Sequence, residues 1–321
     1  MRLWENRMIW TGLEVMGDVP FTDVIVHSTV LAPDGRRMSK SLGTGIDPLD
    51  VIAEHGADAT RYGLLKMSST QDVRFNIGAV EEGRKLANKL WNVSRLVLQA
   101  AGDVRPALRP VAVEEHWILA RLDAARADVE EALDSFDFAH AVQRVYRVTF
   151  DDFCDWYAEA IKPRLYDGDE DARATALAAL ERLLALLHPV MPHVTEEIWT
   201  QLPDREARLI VSPWPEPTSE YRGAERTLER VQDAAAIYRR SGVRVALAGD
   251  DARIFAAVVR PSDANGDGNA GAEIERLRNE VARSEGMLAN DRFVRNAPPE
   301  IVESEREKLA RYRRELDALL R

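Results

Sequence analysis

The sequence predicts a mainly α-helical protein that begins with the end of an α/β domain, continues as an antiparallel helical bundle and finishes in a coiled-coil hairpin. Three observations support this fold class. A β-branched run is followed by a turn and a glycine-bearing loop near residue 35. Apolar residues then recur every three or four positions from about residue 78 to residue 201. Two segments with heptad spacing, separated by a proline pair, close the chain.

The first 70 residues predict a helix, a strand, a loop and two further helices. We expect the first helix over 3–16 and the strand over 23–31, where β-branched residues end in a proline–glycine turn. After the loop, Asp47-Pro48 supplies an N-cap and a first helical residue, and Gly56 ends that helix. The second helix is predicted over about 57–67. This order is typical of the end of an α/β domain.

Residues 71–218 are predicted to form a bundle of four or five helices, because their apolar positions step by three and four. Phe138 to Trp156 mark a long third helix. The last helix is expected to be short, with Thr195 as its cap and two glutamates in its first turn. Pro213, Pro215 and Pro217 then form a rigid connector.

The remaining residues predict a connector, a linker and two arms. Residues 219–262 should hold one helix near 224–240 and a β-hairpin, whose turn would be Gly249-Asp250-Asp251. Residues 263–272 are rich in glycine, asparagine and aspartate and are expected to be a flexible linker. Residues 273–321 should form two short antiparallel coiled-coil arms.

Composition excludes several classes of function. The chain has 321 residues, 45% of them apolar, and no run approaches the roughly 20 apolar residues of a membrane span. The amino terminus lacks a basic-then-apolar targeting pattern. The single cysteine, Cys154, excludes an internal disulfide and a cysteine-cluster zinc site. We therefore expect a cytoplasmic protein without a bound metal.

The net charge of −11 does not by itself suggest a nucleic-acid binder. Polyanion binding usually shows as a basic balance, at least locally. Any contact with RNA must therefore come from local basic faces on an acidic body, and the overall charge counts mildly against that function.

The loop from Gly35 to Gly43 is the most informative segment. Three cations, Arg36, Arg37 and Lys40, lie within five positions, hydroxyls flank the last of them, and glycines leave the backbone mobile. A phosphate chain calls for ammonium and guanidinium groups, hydroxyl and backbone N–H donors, and little bulk. The alternative for such a segment is a solvated basic turn.

The pattern Arg37-Met38-Ser39-Lys40-Ser41, followed by Leu-Gly after a strand, resembles the KMSKS loop of class I aminoacyl-tRNA synthetases. That family has a Rossmann-type catalytic domain. The resemblance implies that the loop closes over ATP, with Mg²⁺ as its counter-ion, while an aminoacyl-adenylate forms. Lys40 would act catalytically on the triphosphate by stabilising charge on the leaving pyrophosphate. Ser39 and Ser41 would donate hydroxyls, the Met38 backbone would border the adenine, and Arg37 would keep the first charge with altered geometry.

Further segments resemble the members of this family that are specific for branched aliphatic amino acids. Residues 46–50 and the run 56–61 (Gly-Ala-Asp-Ala-Thr-Arg) belong to that group. Residues 88–92 (Asn-Lys-Leu-Trp-Asn) point to the valine-specific members, and residues 289–302 resemble the coiled-coil arm that ends them. The implied activity is ATP-dependent ligation of valine to tRNA. The matching part of an isoleucine or leucine enzyme is the alternative.

Two features of the family are not found in the sequence. The paired-histidine signature that binds ATP is absent, and there is no room for an editing domain. We therefore expect a partial chain that acts as a monomer, is inactive alone, and relies on an upstream segment to hold the amino acid. A stand-alone tRNA-binding module without ligase activity is the alternative, but such a module has no use for the ATP loop.

The resemblance implies that the bundle binds the anticodon limb of tRNA and that the arm leans on the tRNA body. Aromatic rings can stack on splayed bases and cations can pair with phosphates. A large aromatic at helical spacing more often packs in a core, and this is the competing interpretation of Trp91. For the arm, the competing interpretation is a solvated coiled coil. The candidate tRNA contacts are Arg84, Asn88, Lys89, Trp91 and Arg95 on the first bundle helix, and Arg292, Arg295, Arg311 and Arg314 on the arm.

Cys154 and two histidines are expected to be structural. Cys154 lies beside Asp155, but no histidine is near it in sequence, so a buried thiol is favoured over a nucleophile. His188 and His193 flank proline-bounded turns and are expected to hold them rather than to contact RNA.

Overall fold

A computed structural model of the chain describes residues 2–39, 43–68, 71–205, 207–218, 221, 228–266 and 268–320. The predicted mainly α-helical fold is confirmed. The described elements in chain order are α1 (Arg2–Thr11, continued by a π-helical turn, Gly12–Met16), β1 (Val30–Leu31), α2 (Pro48–His55), α3 (Ala57–Lys66), β2 (Val73–Arg74), α4 (Ile77–Ala101), α5 (Val113–Asp134), α6 (Phe138–Arg147), a π-helical segment (Val148–Tyr157), α7 (Ala158–Tyr166), α8 (Glu170–Leu187), α9 (Pro192–Trp199), a 3₁₀ turn (Leu209–Val211), α10 (Glu229–Ser241), α11 (Gly249–Val258), a 3₁₀ turn (Pro261–Asp263), α12 (Ala270–Leu288), α13 (Asp291–Asn296) and α14 (Pro299–Leu320).

The strand predicted over 23–31 is much shorter in the structure. β1 and β2 pair in parallel, with Val30 opposite Val73 and Leu31 opposite Arg74. A strand persists only where a neighbour satisfies its backbone hydrogen bonds. Since β2 is two residues long, the described residues before Thr29 have no ladder partner in the described part of the chain.

The first helix pair forms as its caps predict. The Asp47 carboxylate accepts a hydrogen bond from the Leu49 N–H (2.9 Å), and Pro48 occupies the first turn of α2. Gly56 ends α2 with a φ of 92° and donates its N–H to Ile52 O (2.8 Å). Because few side chains tolerate this φ, glycine sets the sharp change of direction into α3.

The bundle packs α4, α5, α8 and the continuous helix α6–α7 around one apolar core. The third predicted helix runs unbroken from Phe138 to Tyr166, with a π-helical stretch in its middle. Leu90 of α4, Ile118 of α5, Phe153 of the π-helical segment and Leu180 of α8 have no exposed surface. Burial of this face accounts for the helical periodicity of the sequence.

The predicted cap of the last bundle helix is wrong. α9 begins at Pro192, which needs no N–H partner in a first turn, so Thr195 lies inside the helix. Thr195 is fully buried, and its hydroxyl donates to Met191 O (2.8 Å). It also lies 2.8 Å from His188 Nδ1, so His188 holds this turn as expected.

The predicted β-hairpin within residues 219–262 is also wrong, because residues 249–258 form α11. Ile254 and Val258 are buried, and a spacing of four places residues on one face in a strand as well as in a helix. The sequence pattern therefore does not distinguish a helix from a strand here. Arg253 directly precedes Ile254 and donates to both oxygens of the fully buried Glu114 on α5 (3.1 and 2.8 Å), which fixes the helix on the bundle.

The described part of the predicted flexible linker, 263–272, is held rather than free. The Asn265 N–H donates to Arg239 O (2.9 Å), and the Gly268 N–H donates to Ser241 O (2.8 Å). A Cβ on Gly266 would overlap the Ser241 backbone, so only glycine allows this close approach. Residues from 270 onward are already helix α12, capped by Asn269.

The two arms, α12 and α14, pack side by side in opposite directions. Leu277 of α12 and Val302 of α14 are buried, and the Ser284 hydroxyl donates to Glu305 across the pair (2.7 Å). The predicted helical hairpin is confirmed.

Candidate functional site

The short β ladder fixes the point where the glycine-bearing loop begins. Val73 N–H donates to Thr29 O (3.1 Å) and Phe75 N–H donates to Leu31 O (2.8 Å). The Asp72 carboxylate accepts from the Thr29 N–H (2.9 Å), which extends the anchorage by one side chain. The chain therefore enters the loop from a defined position.

A tight turn follows the ladder. Gly35 has a φ of 85° and donates its N–H to Ala32 O (2.8 Å), while Ala32 N–H donates to Arg36 O (2.9 Å). A Cβ at position 35 would lie 3.1 Å from the Arg74 guanidinium, so glycine admits this cation beside the turn. Arg36 pairs with Asp34 (2.7 Å), and its hydrogen bond lowers the pKa of Asp34.

Thr44 closes the loop, a role that its place in the sequence does not predict. Its hydroxyl donates to Arg37 O (3.1 Å) and accepts from the Ser39 N–H (3.0 Å), while its own N–H donates to Ser39 O (3.2 Å). These bonds tie the two ends of residues 39–44 together. Threonine after glycine carries no strong sequence signal, since many loops contain this pair.

Three of the predicted ATP-contacting residues, Arg37, Met38 and Ser39, are described and lie at this clamp or beside it. Arg37 bridges back to Leu31 through its backbone and its side chain is exposed, whereas Met38 and Ser39 are half-buried. Lys40 and Ser41 lie outside the described residues. Among the described residues, the exposed Arg37 side chain lies at a segment whose backbone is held by Thr44, and a cation at a fixed loop suits a polyphosphate ligand.

Helix α3 joins this loop region to the bundle through two charged side chains. The Asp58 carboxylate accepts from the N–H groups of His193 (3.1 Å) and Val194 (2.6 Å) in the first turn of α9. The Arg61 guanidinium donates to Pro189 O (3.0 Å) just after α8. Asp58 thus satisfies free N–H groups at a helix start, and Arg61 satisfies a carbonyl past a helix end. Both residues belong to the 56–61 run.

Four of the five candidate contacts on α4 share one exposed face. Arg84, Asn88, Trp91 and Arg95 follow each other in steps of four, three and four, and all four are exposed. Arg84 and Arg95 are eleven steps apart, which is about 16 Å along the helix axis. Several stacked nucleotides, at about 3.4 Å each along one strand, would span this distance. Trp91 is 37% exposed and outside the core, so the interpretation of Trp91 as a core residue is wrong.

Lys89 is not part of this face. Its ammonium lies 3.2 Å from the centre of the Phe150 ring and 2.6 Å from the Asp155 carboxylate. Lys89 is thereby engaged between α4 and the π-helical segment. The structure gives it a role in holding these two elements.

The arginines of the arm differ in their surroundings. Arg314 donates to Asp233 of α10 (3.0 Å), and Arg311 lies 3.8 Å from Glu315 on its own helix. Arg295 is exposed near the turn between the arms. The Arg292 side chain lies outside the described residues. The three described arginines are all exposed, but Arg311 and Arg314 already have acidic partners.

Cys154 is a free, buried thiol, as expected. Burial raises the pKa of this thiol to about 12, so it is protonated and unreactive at neutral pH. Within the described residues, no group of three metal-ligating side chains comes together. In the same part of the chain, no helix is long and apolar enough to cross a bilayer.

Three protein families match successive parts of the chain. Residues 1–76 match the family described as tRNA synthetases class I (I, L, M and V). Residues 115–248 match the anticodon-binding domain of tRNA ligase, and residues 271–321 match the valyl tRNA synthetase tRNA binding arm.

Individual relatives agree with these matches. The chain is 33% identical to the valine–tRNA ligase of Carboxydothermus hydrogenoformans, over 98% of this chain and 43% of that protein. It is 42% identical to the valine–tRNA ligase of Symbiobacterium thermophilum, over 65% of this chain and 24% of that protein. The chain thus spans less than half the length of these curated relatives.

A solved structure shares the fold. The ternary complex of a LeuRS from Agrobacterium radiobacter with tRNA and LeuAMS superposes with a TM-score of 0.54 and 23% identity, over 67% of this chain and 26% of that one. The sequence matches and this fold agree in pointing to a class I synthetase. The chain belongs to the class I aminoacyl-tRNA synthetases, and it corresponds to the carboxy-terminal portion of the valyl-tRNA synthetases.

Proposed function

We propose that this chain provides the ATP loop and the tRNA-binding surfaces of an enzyme that ligates valine to tRNA at the expense of ATP. The observation that carries the proposal is the motif 37–41, which lies in a segment related to class I synthetases and whose Arg37 and Ser39 are held by Thr44. A module that only bound tRNA would have no need of a phosphate-binding loop.

The proposed division of labour follows the chain. Residues 1–70 belong to the end of the catalytic domain, and residues 71–218 form the domain that binds the anticodon limb. Residues 219–262 form a connector after the bundle. Residues 263–272 link this connector to the tRNA-binding arm, which comprises residues 273–321. We also propose that the enzyme is a cytoplasmic monomer.

The loop acts in the first of the two steps of the proposed reaction, the activation of valine by ATP. The valine carboxylate attacks the α-phosphorus of ATP, valyl-adenylate forms, and pyrophosphate leaves with its Mg²⁺. Lys40 would neutralise charge that develops on the leaving pyrophosphate, and a gain made only in the transition state raises the rate rather than the affinity. Thr44 would hold the ends of the loop in register while residues between them close over ATP.

The α4 face and the arm act on tRNA. Trp91 offers a ring on which an unpaired base can stack, and Arg84 and Arg95 flank it along the same face. Contacts of the arm with phosphates would be independent of sequence and sensitive to salt. A net charge of −11 does not prevent this contact, because Arg84 and Arg95 place two exposed cations beside Trp91 on one face of α4.

The loop is tested in the intact enzyme. Lys40→Ala should lower the rate of valine-dependent pyrophosphate exchange far more than it weakens valine binding. The matched control is Arg230→Ala, since Arg230 is an exposed cation on α10 with its side chain 74% accessible. Unchanged turnover in Lys40→Ala would contradict the proposed role and would favour the alternative of a tRNA-binding module.

The isolated 321-residue chain gives a second test. We expect no pyrophosphate exchange with valine, together with tRNA binding that weakens steeply as salt is raised. The pair Arg84→Ala and Arg95→Ala should weaken binding and reduce the salt slope by about two. Robust exchange by the isolated chain would show that the upstream segment is not required.

A further inference from the structure

One arginine on α10 joins both ends of the arm. The Nε of Arg240 donates to Glu273 at the start of α12 (2.6 Å), and its Nη2 donates to Glu315 near the end of α14 (2.9 Å). Arg240 lies in the last turn of α10. Because α12 and α14 run in opposite directions, these two glutamates mark the base of the hairpin, and the guanidinium reaches both at once.

The two carboxylates are shielded from water. Glu273 is 5% and Glu315 is 1% exposed, while the Arg240 side chain is 32% exposed. Arg276 donates a second pair of hydrogen bonds to Glu273 (both 3.1 Å). A buried carboxylate that loses a hydrogen-bonding partner is unfavourable. Without Arg240, Glu273 would keep Arg276, whereas Glu315 would be left with Arg311 at 3.8 Å. Arg240 is therefore the side chain that holds both α12 and α14 on α10.

The geometry of the pair requires arginine. A planar guanidinium presents several N–H donors in fixed directions and can serve two carboxylates, whereas an ammonium acts as a single point charge. Hydrogen bonds have fixed directions, so they constrain the angle between α10 and the two arm helices. Apolar burial is non-directional and constrains such an angle less. Little apolar surface is available for this purpose, since Leu277 and Val302 are the buried apolar residues among the described side chains of the arm.

Other contacts support the same platform. Arg314 of α14 donates to Asp233, which lies two turns before Arg240 on α10. The Asn265 and Gly268 N–H groups donate to carbonyls of residues 239 and 241 on either side of Arg240. The last two turns of α10 thus form hydrogen bonds with α12, with α14 and with residues 265 and 268, which precede α12.

We propose that Arg240 is the positioning residue that sets the direction of the coiled-coil arm relative to the helical bundle, so that the α4 face and the arm engage one tRNA together. The tRNA part of this inference rests on the function proposed above. Two linked surfaces gain affinity only when their separation matches that of their sites on the ligand. An arm without a fixed direction would keep its cations but would lose the extra affinity that two linked binding surfaces provide.

The direction of the arm is measured without tRNA. Spin labels are placed on cysteines introduced at Gln99 on α4 and Ile301 on α14, both exposed, while buried Cys154 stays unlabelled. We expect a narrow distance distribution in the otherwise unchanged chain. It should broaden in Arg240→Met, broaden less in Arg240→Lys, and remain narrow in the control Arg230→Met, which removes an exposed cation from the same helix.

The same variants are then titrated with tRNA. Arg240→Met should weaken binding by about tenfold or more, because the linked contact is lost, whereas Arg230→Met should change it much less. Circular dichroism checks that the bundle remains folded. A narrow, unshifted distribution in both Arg240 variants would overturn the inference. Absence of tRNA binding by the unchanged chain would instead contradict the proposed function, and the distance result would still decide the role of Arg240.

Discussion

The helical bundle and the coiled-coil arm are both helical, but they are held together by different forces. In the bundle, large side chains such as Trp117, Phe153 and Leu180 are almost completely buried. In the arm, buried polar residues stand where a core would be, including Ser284, Glu305 and Glu315. Apolar burial dominates the first region, and directed hydrogen bonds and ion pairs dominate the second.

The difference shows how one chain can combine a rigid body with an oriented extension. Burial of apolar surface is strong and non-directional, so it makes a compact bundle. Paired charges add little net stability but penalise wrong arrangements, so they select one orientation. We therefore expect mutations in the bundle to change stability most and mutations in the arm to change orientation and salt dependence most.

The largest loss of stability is expected from Leu180→Ala. Leu180 is fully buried in α8, and the substitution removes apolar contacts and leaves a cavity. We expect a decrease of about 2 to 5 kcal/mol in the free energy of unfolding, measured by urea denaturation. The control is Leu49→Ala, whose side chain is 72% exposed. Equal losses for both variants would contradict the assignment of the core.

A buried ion pair within the bundle should come next. Arg253→Met leaves Glu114 fully buried without its bidentate partner on α11. The expected loss is about 3 kcal/mol, because the cation that remains near Glu114, Arg164, is 3.9 Å away and bonds to Glu115, and a poorly compensated buried charge is costly. The matched control is Arg260→Met, an arginine 73% exposed whose partner Glu159 is 3.9 Å away. If the control is equally damaging, α11 is not fixed by charge pairing.

A smaller effect is expected where α3 meets the bundle. Asp58→Ala removes the acceptor for two N–H groups at the start of α9. Loss of such a cap costs about 1 kcal/mol. Asp58→Asn retains an oxygen acceptor and should cost less, and the exposed Asp167→Ala is the control. Amide exchange at residues 193 and 194 would report the local loss, and unchanged protection there would contradict it.

The smallest effect is expected on the surface of the arm. Arg313 of α14 pairs with Glu285 of α12 at 2.6 Å, but the two side chains are 58% and 47% exposed. Arg313→Gln should change stability by about 1 kcal/mol or less at low salt. In 1 M NaCl the difference from the unchanged chain should disappear, because salt screens exposed pairs. A difference that survives high salt would mean that this pair is not screened as an exposed pair should be.

Local chemistry predicted many elements correctly. Asp47-Pro48 and Gly56 fixed the ends of α2, because an N-cap, a proline and a positive-φ glycine act within a few residues. The apolar steps of the bundle predicted its helices, since amphipathic faces are periodic whatever they pack against. The prediction that Cys154 is a buried thiol rested on the absence of a histidine near it in sequence, and its burial is confirmed.

Other features depended on partners distant in sequence. Residues 249–258 are helical because Ile254, Val258 and Arg253 meet the bundle, and their spacing also fits a strand. Trp91 lies on the exposed face of α4, although its spacing alone is equally compatible with a core position. Thr44 became visible as a clamp only through hydrogen bonds to residues 37 and 39.

The sequence alone determined the family resemblance, the helical periods, the caps and the loop that calls for a phosphate, because each is written in residues close together along the chain. The tertiary structure decided which residues share a surface or a contact. Examples are the exposed face of α4, the clamp at Thr44, the hydrogen bonds of α3 to α9, and the hydrogen bonds of Arg240 to both arms. Residues 240, 273 and 315 are far apart in sequence, and only folding brings an arginine between two carboxylates. The chain topology determines such long-range contacts, and the local sequence pattern does not encode them.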